Sequence, residues 1–320
     1  MIRPMIQTWA PLLIALTALT ACGKPADEAG AVDGKKKVVA TTTMIEDLAR
    51  ELSGGDIQVD GIMKPGGDPH LYTPTPADAT LIARADLVLT NGLKLEGWID
   101  DLVRNAGGGA SIKEISGGVE ALKDPLKTNY PDPHIWHDVK RWMIVTRNTA
   151  DALAALSPEH AGAIKAREAA YLDKLAALDK EVQRQIDLIP REQRVLITSH
   201  DAFQYYARSY GVEVVAVQGL STQSEAGAQD VARVVDVIRA RKIPAVFIET
   251  SVNPKLIEQI SRETGVSIGG TLFSDSLGDT GAPGGTYVGM IEENTRLIVK
   301  ALGGPGDPSA TRKDTADKAN

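Results

Sequence analysis

The sequence predicts an α/β protein of two lobes, each with a mainly parallel β-sheet flanked by helices, joined by one long interdomain helix. Three observations carry this expectation. Short β-branched runs alternate with amphipathic stretches in each half of the chain. The 320 residues exceed what one hydrophobic core usually holds together. An uncommonly long apolar stripe lies between the halves.

Residues 1–21 carry one charge, Arg3, before an apolar run of 13 residues from Trp9 to Ala21. A permanent membrane span needs roughly 20 residues, so this run reads as the apolar core of a signal peptide. It ends in Leu19-Thr20-Ala21-Cys22, which resembles the lipobox of bacterial lipoproteins, with Cys22 as the acylated residue. Residues 22–37 lack apolar periodicity and read as the acylated cysteine and a flexible tether, about 20 Å in mean reach.

The N-terminal lobe is expected over residues 38–156. Strands fall at Val38–Thr43, Ile57–Val59 and Asp86–Thr90, with helices at Met44–Leu52 and Asp78–Arg84. The interdomain helix is expected over 157–190. Ser157-Pro158 supplies a start, Pro190 a stop, and Ile164, Tyr171, Leu175, Leu178, Val182, Ile186 and Ile189 recur at helical spacing. Such a helix runs about 48 Å at 1.5 Å per residue. The C-terminal lobe, 191–303, repeats the alternation with strands at Arg194–Thr198, Glu213–Val217, Ala245–Glu249 and Val266–Ile268, and helices near 202–210, 226–241 and 254–264. Residues 304–320 are polar and read as a disordered tail.

Thirty-five Lys and Arg against 42 Asp and Glu give a formal charge of −7, which argues against nucleic acid as a partner. With one cysteine in the chain, no internal disulfide, Cys-based zinc knuckle or iron–sulfur cluster can form. Three of the five histidines sit in dense loop motifs. His70 lies in Lys64-Pro-Gly-Gly-Asp-Pro-His70, His134 in Tyr130-Pro-Asp-Pro-His134, and His200 in Thr198-Ser-His200-Asp, at the carboxyl end of a strand where α/β ligand sites gather. Proline rigidifies the backbone before His70 and His134, and neighbouring carboxylates can fix an imidazole tautomer. Spacing alone does not bring the three together. No His-Glu-x-x-His pair supports a metalloprotease. His160 reads as solvated, and His137 stays ambiguous.

The motifs Gly67-Asp-Pro-His-Leu-Tyr72, Asp132-Pro-His-Ile-Trp136, Thr198-Ser-His-Asp-Ala-Phe203, Gln218-Gly-Leu-Ser-Thr222, Phe247-Ile-Glu249 and Leu272-Phe-Ser-Asp-Ser-Leu-Gly-Asp279 occur in that order across residues 38–303. By these the chain is similar to the cluster A-I metal-binding receptors of zinc/manganese ABC importers, and to their TroA-type members in particular. The resemblance implies a rigid interlobe helix and a metal held between the lobes by His70, His134, His200 and Asp275. It leaves Asp279 as the rival to Asp275, and Glu249 as an outer, charge-balancing carboxylate. The long His/Asp/Glu-rich loop of zinc-dedicated members is missing, replaced by Asp124-Pro-Leu-Lys-Thr-Asn-Tyr130.

The resemblance further implies a non-enzymatic receptor that takes Zn2+ or Mn2+ as cargo, without organic cofactor. It would be exported, lipid-anchored at Cys22 on the extracytoplasmic face, monomeric, and partnered by a membrane permease. Three imidazoles and one carboxylate complete a tetrahedral shell with no open position for an activated water. The imidazoles must be neutral, so binding should weaken below a pH of about 6.5. Two other readings are a surface adhesin and a zinc hydrolase with Glu249 as base.

Overall fold

The computed structural model describes residues 34–123, 130–224 and 226–304. The signal segment, Cys22, most of the tether, the Asp124–Asn129 stretch and the tail lie outside the described residues. The described residues from Lys35 onward form one compact unit.

The first sheet has the order β2-β1-β3-β4, all parallel: β1 (Lys37–Ala40), β2 (Gln58–Gly61), β3 (Leu87–Thr90) and β4 (Ser111–Glu114). Val38 pairs with Val59 on one side and Leu87 on the other. Helices α1 (Thr43–Ser53), α2 (Pro76–Ala83) and α3 (Ile99–Ala106) connect the strands. The expected strand over Val38–Thr43 stops at Ala40 because Thr42 turns into the N-cap of α1, its hydroxyl accepting from the Ile45 amide. Thr75 and Asp78 close a capping box on α2 behind Pro76. Neither α3 nor β4 was expected. β4 is exposed along its whole length at the sheet edge and carries no inward-outward alternation to read.

Helix α4 (Val139–Leu156) closes this lobe and was also unforeseen. Its buried threonines disguise it: the Thr146 and Thr149 hydroxyls donate to the carbonyls of Trp142 and Val145, both at 2.8 Å, so β-formers are satisfied inside a helix. The interdomain helix begins with a 3-10 turn at Pro158–His160 and continues as α5 (Ala161–Ile186), three residues shorter at its end than its apolar stripe suggested. That stripe is the buried face, from Ile164 to Ile186.

The second lobe contains β5 (Val195–Thr198), α6 (Gln204–Tyr210), β6 (Glu213–Ala216), α7 (Ala228–Arg241), β7 (Ala245–Glu249), α8 (Lys255–Thr264), β8 (Ser267–Leu272) and α9 (Tyr287–Ala301). Its strands are hydrogen-bonded as two parallel pairs, β5 with β6 and β7 with β8, and β5 runs alongside β7.

Each lobe has its own apolar layer on the far side of its strands. Ile82, Val88 and Leu102 fill one, and Val235, Val246 and Ile257 the other. The largest cluster belongs to both lobes. Leu48 and Leu52 of α1, Trp142 of α4, Leu175 and Val182 of α5, Tyr206 of α6 and Ile291 of α9 are all packed into it. Trp142 stacks on Tyr287 with ring centroids 4.6 Å apart. Helix α5 is therefore the spine of a common core, packed by α1, α4 and α9, rather than a bare strut between two bodies.

Truncating Leu175, fully buried on α5, to Ala should destabilise the protein by about 2–5 kcal/mol. Because the core is shared, urea unfolding of the variant should still show a single transition at a lower midpoint; two separated transitions would contradict a common core.

Candidate metal centre

The loops at the carboxyl ends of β2, β5 and β8 meet the segment before α4 at the junction of the lobes. They bring His70, His134, His200 and Asp275 together, one ligating atom from each within 4.8 Å of all the others. The His134 and His200 rings and the Asp275 carboxylate are fully buried; His70 is the least enclosed of the four. His70 Nε2 lies 3.2 Å from His134 Nε2, Asp275 Oδ1 lies 3.6 Å from His134 Nε2, and Asp275 Oδ2 lies 3.4 Å from His200 Nε2.

Local chemistry orients each ring. In Asp132-Pro133-His134 the Asp132 Oδ1 folds back to accept the His134 amide at 3.0 Å and its ring Nδ1–H at 2.8 Å. A carboxylate can only accept, so the proton sits on Nδ1 and the Nε2 lone pair faces the cluster. Glu249, at the end of β7, does the same for His200. Its Oε1 accepts the backbone N–H at 2.9 Å and its Oε2 accepts Nδ1–H. The Glu249 carboxylate thus stands behind His200, outside the group of four. His200 Nε2 and Asp275 Oδ1 are buried without hydrogen-bond partners, as donor atoms reserved for a cation are. The other oxygen, Asp275 Oδ2, accepts from Ser251 Oγ at 2.8 Å.

His70 sits in a loop that Gly66 turns with a φ of +76°, a conformation that glycine adopts without a Cβ penalty. Asp68 Oδ1 accepts the His70 amide at 2.8 Å, repeating the turn of the second Asp-Pro-His motif.

Burial pushes the His70 imidazole down to about 4 and that of His134 to about 3, so both are neutral at physiological pH. Burial also opposes a charge on His200, but Glu249 and Asp275 outweigh it and hold that ring well above 6.5. Burial would raise Asp275; the surrounding His200, His134 and His70 reverse this and hold it well below the usual carboxylate range.

The remaining candidates separate from the cluster. Asp279 is exposed, four residues beyond Asp275. His160 is part-exposed and bonded to Ser157. His137 is fully buried, its Nε2–H donating to the Ser274 carbonyl at 3.0 Å and its ring lying 4.3 Å from that of Phe203, with burial pushing it down to about 3. Trp136 Nε1–H donates to the same carbonyl at 2.7 Å. Thus Trp136 and His137 tie the His134 turn to the Asp275 loop, and Ser251 ties that loop to the end of β7, roles that spacing along the chain does not announce.

The chain matches the family profile described as zinc-uptake complex component A, periplasmic, over residues 38–301. It is 40% identical over 308 residues to the zinc-binding protein TroA of Treponema pallidum, covering 94% of this chain and 99% of the relative. It is 38% identical to the manganese-binding lipoprotein MntA of Bacillus subtilis, over 92% and 98% of the two chains. It is 31% identical to the metal ABC transporter substrate-binding lipoprotein SsaB of Streptococcus sanguinis, over 91% and 96%. The solved structure of the periplasmic zinc-binding protein TroA superimposes with a TM-score of 0.80, covering 84% of this chain and 99% of that one.

Two outcomes are expected from the electrostatics. With His70 and His134 already neutral, a cation entering at pH 7 displaces a proton from His200 alone. Affinity should then rise about tenfold per pH unit from pH 5 to 7 and steepen only near pH 4, where His70 begins to protonate. Titration calorimetry at pH 7 in buffers of different ionisation enthalpy should count about one proton released per ion; two or three would mean that His70 and His134 are also held protonated, against the effect of their burial. Replacing Glu249 by Gln, which removes the charge holding His200 Nδ1–H, should weaken metal binding about 10–100-fold in competition with a chelator.

Proposed function

The chain belongs to the family of zinc-uptake component A proteins, solute-binding receptors and not enzymes, and from that premise we propose that it captures a divalent transition metal outside the cytoplasm and delivers it to an ABC-type permease. Zn2+ or Mn2+ is the cargo. The reading rests above all on one observation, the convergence of three imidazoles and one carboxylate in a largely buried cluster between the lobes.

We assign His70, His134, His200 and Asp275 as the ligands, with Glu249 and Asp132 orienting His200 and His134. A divalent ion among neutral imidazoles and a single carboxylate leaves a local charge of about +1, which the nearby Glu249 and Asp132 carboxylates offset. Four protein ligands leave no position for an activated water, which suits holding an ion over hydrolysis. The anchor is assigned to the acylated Cys22, with residues 22–37 as tether; among the described residues no helix is long and apolar enough to cross a membrane. The proposed working form is a monomer, lobes 38–156 and 191–303 being joined by the 157–190 segment that contains α5 and sharing one core.

Protein purified without chelator should carry about one Zn2+ or Mn2+ per chain by elemental analysis. His70→Ala should weaken Zn2+ binding by more than about 100-fold, beyond the loss expected for an orienting residue. Unchanged stoichiometry and affinity in that variant would show the ligand assignment to be wrong. In vitro, Zn2+ should displace Mn2+, following the general order of divalent affinities.

A further inference from the structure

The Asp-Pro-His motif occurs twice, and the structure uses its two aspartates differently. Asp132 spends one oxygen on both the backbone and the ring of His134, so that ligand is locked within its own loop. Asp68 holds only the backbone of His70 with Oδ1. Its other oxygen, Oδ2, accepts from Thr222 Oγ1 of the opposite lobe at 2.6 Å. The next residue, Gln223, donates from Nε2 to the His70 carbonyl at 2.9 Å. Thr222 and Gln223 belong to the connection between β6 and α7.

We propose that these two contacts form a latch between the lobes that makes His70 the exchangeable ligand, with Thr222 and Gln223 as positioning residues that set how fast the metal leaves. The proposal rests on the assignment of His70 as a ligand. The buried His200 is gripped at two points by the buried Glu249, and the buried Asp275 is held by Ser251. His70 is the least enclosed ligand and stands in a connection from β2 to α2 without regular structure. Within its own lobe that connection is held by Trp98 Nε1–H, which donates to the Pro69 carbonyl at 3.1 Å. A further bond to the second lobe, from the Gly66 amide to Ser276 Oγ at 2.8 Å, lies four residues before the ligand and serves as its pivot. Opening requires that water replace the bonds of Thr222 and exposed Gln223. Losing the Thr222 bond also slackens the Asp68 carboxylate that positions the His70 amide, so the latch acts on the ligand through one side chain.

Stopped-flow dissociation of Zn2+ into excess chelator tests this, with the Co2+ d–d spectrum reporting whether all four ligands still bind. Thr222→Val removes the hydroxyl at nearly constant shape, and Thr222→Val with Gln223→Leu removes both contacts. The double variant should release Zn2+ at least about tenfold faster, the effect of losing a hydrogen bond to a carboxylate, while its Co2+ spectrum matches wild type. Thr222→Ser should restore the slow rate. Wild-type release by the double variant overturns the latch, as does an altered Co2+ spectrum, which would mean that the contacts shape the site itself. A wild-type chain that bound no Zn2+ would sink the metal-site reading and the latch together.

Discussion

Everything around the cleft answers to one constraint: Asp275 buries a carboxylate completely at the junction of two lobes. An isolated buried charge is untenable, so the fold must bring compensating groups to it from elsewhere in the chain. It does so with three imidazoles that arrive from separate loops. Only one of them, His200, is poised to carry a proton, because Glu249 grips its far side. The cluster is thereby built around a position that a proton shares and a divalent ion can take over.

Such a cluster works only if its pieces cannot drift apart, and this explains the unusual core. Three of the four clustered side chains stand in loops that follow strands, where a shift of one sheet would separate them. The packing of α1, α4, α5 and α9 into one apolar body prevents that shift. Polar ties across the junction reinforce it: the Leu277 amide donates to Thr43 Oγ1 at 2.8 Å, the Tyr287 amide to Asp47 Oδ2 at 2.8 Å, and the Tyr205 hydroxyl to the Asp132 carbonyl at 2.7 Å. With the frame fixed in this way, the His70 loop, which carries the least enclosed of the four side chains, is where the proposed latch places the freedom to open.

Every strand but β4, and helix α5, were legible because their apolar pattern is a direct record of burial; the stripe from Ile164 to Ile186 is the clearest case. Helix α4 was not, since its threonines satisfy their hydroxyls on the preceding turn and so mimic a strand or loop composition. The site divides in the same way. Proline and aspartate beside His70 and His134 were visible as local rigidity, and the carboxylate at the end of β7 could be suspected. That the three histidines and Asp275 meet came only from family resemblance, because convergence is a property of strand order and lobe packing that no spacing encodes. Trp136, His137 and Ser251 act through the single Ser274–Asp275 turn, more than a hundred residues from the first two, and their roles exist only in three dimensions. The pH at which binding should fade shifted for a related reason. A free imidazole value of about 6.5 describes none of these rings once burial lowers two of them and two carboxylates raise the third.

The same hydrogen bonds bear on which ion the proposed site prefers. Ser251 donates to Asp275 Oδ2, whereas Oδ1 is buried with no hydrogen bond. One oxygen is thus committed to the protein and the other is left for the ion, which favours a monodentate carboxylate. Three imidazole nitrogens and one oxygen make a four-coordinate shell, the arrangement Zn2+ adopts most readily. Mn2+ prefers more oxygen and a higher coordination number, and would have to draw Oδ2 away from Ser251 or recruit a water. Because Ser251 also bonds Ser274 at 2.8 Å, its hydroxyl can turn toward Ser274 when Oδ2 is called upon. At the proposed site, Ser251 can thus exchange Oδ2 for Ser274 without any change among the four clustered side chains. Relatives with the same overall architecture can on this account carry names for different metals without a change of fold.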